Sequence, residues 1–226
     1  MENKEVGEPK GNKFFRFSPD NDTYIAIFTE ILMIIFYFST TNFLNSSNNI
    51  VIPFLFFGII TNLMLNVLFP TWWIIFYKGQ SLSELGITKN RILLAIVISI
   101  GFSIFTVFLV IPQISQIENG IAHLVYNGII LWEPFFVYCW LQLRYEKAFG
   151  IIPGILLTGL SFMAYHIGTF SFENLLILLF WGLIFAIIFH FIKNIIVLWP
   201  LTWSFSSSLG TLMGDMVFSW ELVFLW

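Results

Sequence analysis

A carboxylate inside an apolar run is the residue of this sequence that most calls for a chemical explanation. Glu133 stands in the run WEPFFVYCWLQ, directly before Pro134. An ionisable residue at membrane depth costs at least about 2.5 kcal/mol, so such a residue usually has a function or a specific partner. A carboxylate can act as a general base toward water. The alternative is structural: a protonated Glu133 could satisfy the carbonyl group that loses its helical partner at Pro134.

Four further ionisable residues fall within or beside apolar runs. His166 lies near the end of one run, in SFMAYHIGTF, and is the second candidate for a chemical role. Glu30 can pair with a polar neighbour, and His123 is predicted at a headgroup boundary. His190 and Asn194 have the spacing of a pair on one helix face. The position of His190 near the end of its run favours an interfacial role instead.

The composition indicates that lipid is the solvent of most of the chain. The 226 residues are 58% hydrophobic and 10% charged, with 28 Phe and nine Trp. Soluble domains are about 45–50% apolar and about 25% charged. The single cysteine, Cys139, excludes an internal disulfide and a cysteine metal cluster. No basic block suggests a nucleic-acid partner.

The runs predict an all-α fold, a multi-pass transmembrane bundle of about seven to eight helices. Residues 1–23 are predicted to be a flexible cytoplasmic tail, and 24–226 the transmembrane domain. The predicted spans are 24–43, 51–77, 92–112, 121–143, 151–167, 174–192 and 196–213, with a partial eighth at 216–226.

All ten cationic residues fall on one side of this alternating topology. They are Lys4, Lys10, Lys13, Arg16, Lys78, Lys89, Arg91, Arg144, Lys147 and Lys193. Cytoplasmic loops carry the excess of lysine and arginine in membrane proteins. The pattern therefore predicts an integral membrane protein with a cytoplasmic N-terminus.

Three short motifs occur in an order that resembles a known family. Glu133 takes the first place of an EExxxR motif, followed by LQLRYEKAFG. Phe162 and His166 match FxxxH. Ser204 and Ser208 occupy the places of HxxxN after a Trp-Pro pair. Over residues 75–212 the chain resembles the CPBP intramembrane endopeptidases, which include type II CaaX prenyl proteases and bacteriocin-immunity relatives.

The resemblance implies an endopeptidase that cleaves membrane-associated peptides or prenylated proteins in a bacterial plasma membrane. Glu133 would activate a water molecule, and His166 would orient that water or bind a metal such as zinc. Ser204 and Ser208 would be weak hydrogen-bond donors in the places of a histidine and an asparagine. The implied partners are the bilayer and a membrane-anchored or prenylated peptide.

The chain also departs from the family pattern. Pro134 replaces the second glutamate and Tyr138 the arginine, while both residues of the third motif are serine. One glutamate and one histidine are fewer than the three ligands typical of catalytic zinc. The predicted topology also places Glu133 and His166 at different depths in the membrane.

Three hypotheses follow from this mixture of retained and lost residues. The first is an endopeptidase with altered motifs. The second is an inactive pseudo-protease that binds a peptide or membrane partner, as in bacteriocin immunity. The third is an unrelated transporter, which we rank last because the sequence lacks the internal repeats that transporters often carry.

Overall fold

The protein is an all-α bundle, as predicted. The computed structural model describes residues 13–46, 54–116 and 120–212, and these residues contain eight helices and no strand. The helices are α1 (Asn21–Ser46), α2 (the consecutive segments Phe54–Leu68, Phe69–Trp72 and Trp73–Tyr77), α3 (Ile92–Val110), α4 (Gly120–Ile129), α5 (Trp132–Phe149), α6 (Ile151–Ala164), α7 (Phe172–Ile192) and α8 (Leu201–Leu212). The predicted partial span at 216–226 lies outside the described residues.

In the described part of the chain, fewer helices are long and apolar enough for a full crossing than the seven predicted spans. Four helices, α1, α2, α3 and α7, are long and apolar enough, and α4 with α5 would form a fifth crossing bent by 43°. With only 14 residues, α6 is about 21 Å long, shorter than the roughly 30 Å of bilayer hydrocarbon. The predicted span 196–213 holds only the 12 residues of α8.

The outer helix α3 shows that the apolar surface faces outward. Its buried stripe consists of small and hydroxyl-bearing side chains. Its large apolar side chains are exposed, and Leu93 and Phe108 are 76% and 74% accessible. Small and polar residues at helix interfaces, with apolar residues outside, are typical of membrane bundles. In the stripe, Ser99 and Thr202 of α8 hydrogen bond through their hydroxyl oxygens at 2.9 Å.

The centre of the bundle is α5. Every side chain from Phe135 to Leu141 is at most 1% exposed. A helix that is apolar on all sides is stable only when protein or lipid surrounds it, and here protein does. α6 packs against both α5 and α7, while α8 packs against α3 and α4. The helices packed around α5 therefore determine which side chains contact Glu133.

A tight turn at Gly150 joins α5 to α6 as an antiparallel hairpin. Gly150 has a φ of +92°, which favours glycine. The stretch 13–18 packs on this turn: Arg16 N–H donates to Phe149 O at 3.0 Å, and Ile152 N–H donates to Phe14 O at 3.2 Å. This corrects the predicted tail over 1–23, because its described part from residue 13 is held on the bundle and α1 begins at Asn21.

Asp20 fixes the start of α1 and ties it to the hairpin. Its carboxylate accepts from Thr23 N–H at 2.9 Å and pairs with Lys147 Nζ at 2.8 Å. Burial raises the pKa of Asp20, but the bonds from Lys147 and Thr23 outweigh it and lower the pKa from 3.8 to about 2. A carboxylate with a lowered pKa stabilises the fold above its unfolded pKa, and that contribution is lost as the pH falls through the folded pKa.

We therefore expect Asp20→Asn to remove an acid-sensitive contribution to stability. The thermal unfolding midpoint of wild type should exceed that of Asp20→Asn above pH 3.8, and the difference should shrink as the pH falls to about 2. Unfolding scans in neutral detergent across this pH range measure it. Glu173→Gln, at an exposed position, is the control. A constant difference between Asp20→Asn and wild type would contradict the expectation.

Candidate functional site

Glu133 and His166 meet in the interior of the bundle. His166 Nε2 lies 3.6 Å from Glu133 Oε1, and the two residues are 9% and 6% exposed. The other ring nitrogen, Nδ1, lies 2.8 Å from the carbonyl oxygen of Phe162. A carbonyl oxygen only accepts, so Nδ1 carries the proton of that bond. Nε2 is therefore the nitrogen that faces the carboxylate.

The predicted difference in depth between Glu133 and His166 is wrong. α5 does not end near residue 143 but continues to Phe149. Glu133 then lies 17 positions before Gly150, and His166 lies 16 positions after it. In an antiparallel hairpin, residues equally far from the turn lie at the same level. The two motifs are thus brought together by the length of α5 and the tight turn.

Two aromatic residues bind the carboxylate of Glu133. Trp203 Nε1–H donates to Oε2 at 3.0 Å, and the Tyr165 hydroxyl donates to Oε1. Sequence reasoning missed both, although each directly precedes a predicted site residue, His166 or Ser204. An indole N–H or a phenol O–H that is buried usually has a partner. Because the same apolar runs contain a buried acid that needs donors, this rule could have identified a tryptophan and a tyrosine as its hydrogen-bond partners.

The structural alternative for Glu133 also needs correction. Glu133 and Pro134 lie in the first turn of α5, after a break that separates it from α4. The first four N–H groups of a helix have no intrahelical partner, so Pro134 removes no bond from α5. Pro134 therefore orphans no carbonyl group within α5, so the Glu133 carboxylate is not needed for that purpose. It accepts from the two aromatic donors instead.

Aromatic rings enclose the acid–histidine pair. The ring of His166 lies with its centroid 4.1 Å from that of Tyr165, 5.3 Å from Phe162 and 5.4 Å from Phe170. Tyr37 of α1 lies 6.3 Å away on the same measure. These rings limit the access of water. They also make hydrogen bonds inside the site stronger than they would be in water.

The two predicted site serines face α4. Ser204 Oγ donates to Leu124 O at 2.6 Å. Ser208 Oγ donates to Ser204 O at 2.6 Å and accepts from Asn127 Nδ2 at 3.3 Å. The bonds to Leu124 and from Asn127 connect α8 to α4. Within the part of the chain that the structure describes, neither hydroxyl hydrogen bonds to Glu133 or His166.

The residues do not fit a zinc site. Glu133 and His166 supply two ligand atoms, and both carboxylate oxygens already accept hydrogen bonds. Among residues 13–46, 54–116 and 120–212, no three His, Cys, Asp or Glu side chains form a group that could hold a metal ion. A catalytic zinc ion requires three protein ligands and an open position.

The remaining ionisable candidates lie elsewhere. Glu30 accepts from the hydroxyl of Tyr145, which matches the expected polar neighbour. His190 Nδ1 lies 2.8 Å from Glu146 Oε2, while Asn194 lies beyond the end of α7, so the alternative of a helix-face pair is wrong. The favoured interfacial role of His190 stays a prediction. His123 is fully buried within the protein, and its position at a headgroup boundary stays a prediction.

No protein-family model, curated protein or solved structure matches this chain. The fold and the site alone therefore define the class of protein. It is an all-α membrane bundle with a buried acid–histidine pair between α5, α6 and α8.

Proposed function

We propose that this protein binds a membrane-associated peptide without cleaving it, as a non-hydrolytic member of the CPBP intramembrane endopeptidases. One observation carries the proposal: each Glu133 oxygen accepts a hydrogen bond from an aromatic donor of the protein. A general base must accept its proton from the attacking water. Tyr165 and Trp203 use two of the about four acceptor sites of the carboxylate and hold it as a structural acceptor between α5, α6 and α8.

The third motif supports the same function. Hydrolysis of a peptide develops negative charge on the carbonyl oxygen, which needs donors aimed at that position. Ser204 and Ser208 replace the family's histidine and asparagine, and their hydroxyl groups donate to carbonyl oxygens at 2.6 Å instead. In this proposal the chain keeps the helix arrangement of the family, while the Ser204 hydroxyl links α8 to α4 and the Ser208 hydroxyl donates within α8. Because the groups that hydrolysis needs are replaced, the proposed role is peptide binding in a bacterial plasma membrane, with the N-terminus in the cytoplasm.

A second candidate function, hydrolysis by a Glu133-activated water, is favoured by one distance. His166 Nε2 lies 3.6 Å from Glu133 Oε1, so a rotation of the Tyr165 hydroxyl would let both groups hold one water molecule. In this function, Glu133 is the base and His166 orients the water. The donor set of the described residues does not fit zinc, so no step of this function is assigned to a metal.

Cleavage and binding can be measured together to separate the two functions. The full chain is reconstituted in liposomes with a farnesylated, fluorescent peptide whose cleavage separates dye from quencher. We expect saturable binding by fluorescence anisotropy and cleavage no faster than that of Glu133→Gln. Glu173→Gln at an exposed position is the matched control.

Two results would count against the proposal. Loss of a general base typically slows a reaction by about 10²–10⁴-fold. Wild-type cleavage that falls by such a factor in Glu133→Gln would establish the hydrolase function instead. Binding that does not saturate, or that an empty liposome reproduces, would overturn peptide binding.

A further inference from the structure

A charged cleft of about 510 Å³ lies at the end of the bundle where α5 meets α6. Its walls come from the N-terminal stretch, the turn after α2, the α5–α6 hairpin and the end of α7. Its cationic lining residues are Lys13, Arg16, Arg144, Lys147 and Lys193. The distribution of cations along the sequence predicts that all five residues lie on the same side of the membrane. The cleft is well separated from Glu133, which lies about 15 Å from Arg144 along the axis of α5.

The three carboxylates of the cleft do not cancel this charge. Asp22 pairs with Lys78 at 3.1 Å, and Glu146 pairs with His190 at 2.8 Å and with Lys193 at 3.6 Å. The third carboxylate, Glu84, belongs to an exposed residue. Two of the three carboxylates are therefore already paired with basic side chains. Among the cationic lining residues, Lys147 pairs with Asp20 and Lys193 with Glu146, and the other three form no ion pair with a described residue.

Among the described residues, Arg144 is a buried cation without a carboxylate partner. It is 5% exposed, and its Nη1 donates to the carbonyl oxygens of Glu84 and Cys139 at 3.0 Å each. Its guanidinium carbon lies 4.5 Å from the ring centroid of Trp140. Within the described ranges, no carboxylate oxygen lies within 4.0 Å of it. A buried charge that is not paired is costly, so an anion from outside would stabilise it.

Lys13 and Arg16, in the N-terminal stretch, also line this cleft. Arg16 Nη2 donates to the carbonyl oxygen of Glu146 at 2.8 Å, one turn from the base of the hairpin. Lys13 is exposed, and its carbonyl oxygen accepts from Ile151 N–H at 3.1 Å. In the described part of the chain, neither side chain has a carboxylate within 4.0 Å.

We propose that this cleft binds a phosphate group through Arg144, Arg16 and Lys13. A planar guanidinium donates two parallel hydrogen bonds to phosphate oxygens, and a lysine adds a point charge. The volume lies within the range of small-ligand sites, about 300–1,000 Å³. At the end of membrane-crossing helices, the phosphate can belong to an anionic phospholipid headgroup or to a free phosphate compound.

The test measures ligand-induced stabilisation of the full chain, delipidated in a neutral detergent. Its thermal unfolding midpoint is titrated with phosphatidylglycerol, with diacylglycerol of the same acyl chains, and with sodium phosphate against sodium chloride of equal ionic strength. A ligand that binds only the folded state raises the midpoint. We expect phosphatidylglycerol to raise it and diacylglycerol to leave it unchanged. A comparable rise with sodium phosphate identifies a free phosphate as a sufficient ligand, and a rise with the lipid alone identifies the headgroup.

Variants assign the effect to the cleft. The double substitution Lys13→Gln and Arg16→Gln should weaken the apparent affinity for phosphatidylglycerol about ten-fold or more, because it removes charge-assisted hydrogen bonds. Lys89→Gln, exposed and not part of the cleft lining, should leave the affinity unchanged. Arg144→Lys keeps the buried charge but loses the planar donor pair, so it should also weaken binding.

Two outcomes overturn the proposal. One is an equal rise of the midpoint with phosphatidylglycerol and diacylglycerol, together with no effect of sodium phosphate. The other is an equal loss of affinity in the double variant and in Lys89→Gln, because the effect would then reflect the charge of the whole face. Unfolding midpoints without ligand show whether each variant is folded. Cleavage and peptide binding are not read in this test, so its result is independent of the proposed function.

Discussion

Glu133→Ala will destabilise the folded protein by about 2–4 kcal/mol, while Glu133→Gln will cost less than about 1 kcal/mol. Alanine leaves the N–H of Trp203 and the hydroxyl of Tyr165 buried without their acceptor. An unsatisfied buried polar group costs about 1–3 kcal/mol. Glutamine keeps an amide oxygen for Trp203, and its NH₂ group can donate to the Tyr165 hydroxyl, which also accepts.

Thermal unfolding in neutral detergent measures both substitutions, with Glu173→Ala at an exposed position of α7 as the control. Surface substitutions are usually within about 0.5 kcal/mol of wild type. Equal losses in Glu133→Ala and Glu173→Ala would mean that Trp203 and Tyr165 do not depend on the carboxylate. Equal losses in Glu133→Ala and Glu133→Gln would mean that the negative charge itself stabilises the fold.

The contrast between alanine and glutamine separates structure from chemistry at Glu133. A general base fails when its carboxylate becomes an amide, because an amide does not accept a proton from water. A hydrogen-bond acceptor survives the same change. A stable Glu133→Gln protein is therefore also the right variant for the cleavage assay, since a loss of cleavage would not come from unfolding.

The class of fold was predictable because lipid imposes strong limits on sequence. The apolar runs and the ten cations predicted an all-α membrane bundle. The end of α5 was not predictable in the same way. Arg144 placed the predicted end of its span at residue 143, yet Arg144 and Glu146 are 5% and 6% exposed, because carbonyl oxygens accept from the guanidinium and basic side chains lie beside the carboxylate. Hydropathy measures transfer from water to lipid and contains no information on such partners.

The candidate site was predictable only in part, for a related reason. The motif positions led to Glu133 and His166, which the structure brings to 3.6 Å. Tyr165 and Trp203 did not stand out in a chain that is 19% aromatic. Ser204 lies directly after Trp203, but its hydroxyl faces α4 because the rotation of α8 is set by packing against α3 and α4. Sequence spacing alone does not fix that rotation.

The second large effect is expected at the turn that aligns Glu133 with His166. Gly150→Ala will destabilise the protein by about 2–4 kcal/mol. A Cβ atom at Gly150 would lie 2.7 Å from Phe14 O and 2.8 Å from Phe14 C, which are backbone atoms. The φ of +92° adds strain for any L residue. The chain must therefore either strain the turn or release the N-terminal stretch that packs on it.

Release of that stretch has two measurable consequences beyond a lower unfolding midpoint. The backbone at Lys13 and Arg16 would no longer be hydrogen-bonded to the turn, so trypsin should cut Gly150→Ala there faster than wild type. The same two cations would leave the phosphate-binding cleft, so phosphatidylglycerol should stabilise the variant less. Gly101→Ala is the control, because a Cβ there meets nothing within 4 Å and alanine favours the helix. If Gly150→Ala behaves like Gly101→Ala in all three measurements, the stretch 13–18 is not held by this turn, and the alignment of α5 with α6 does not require glycine.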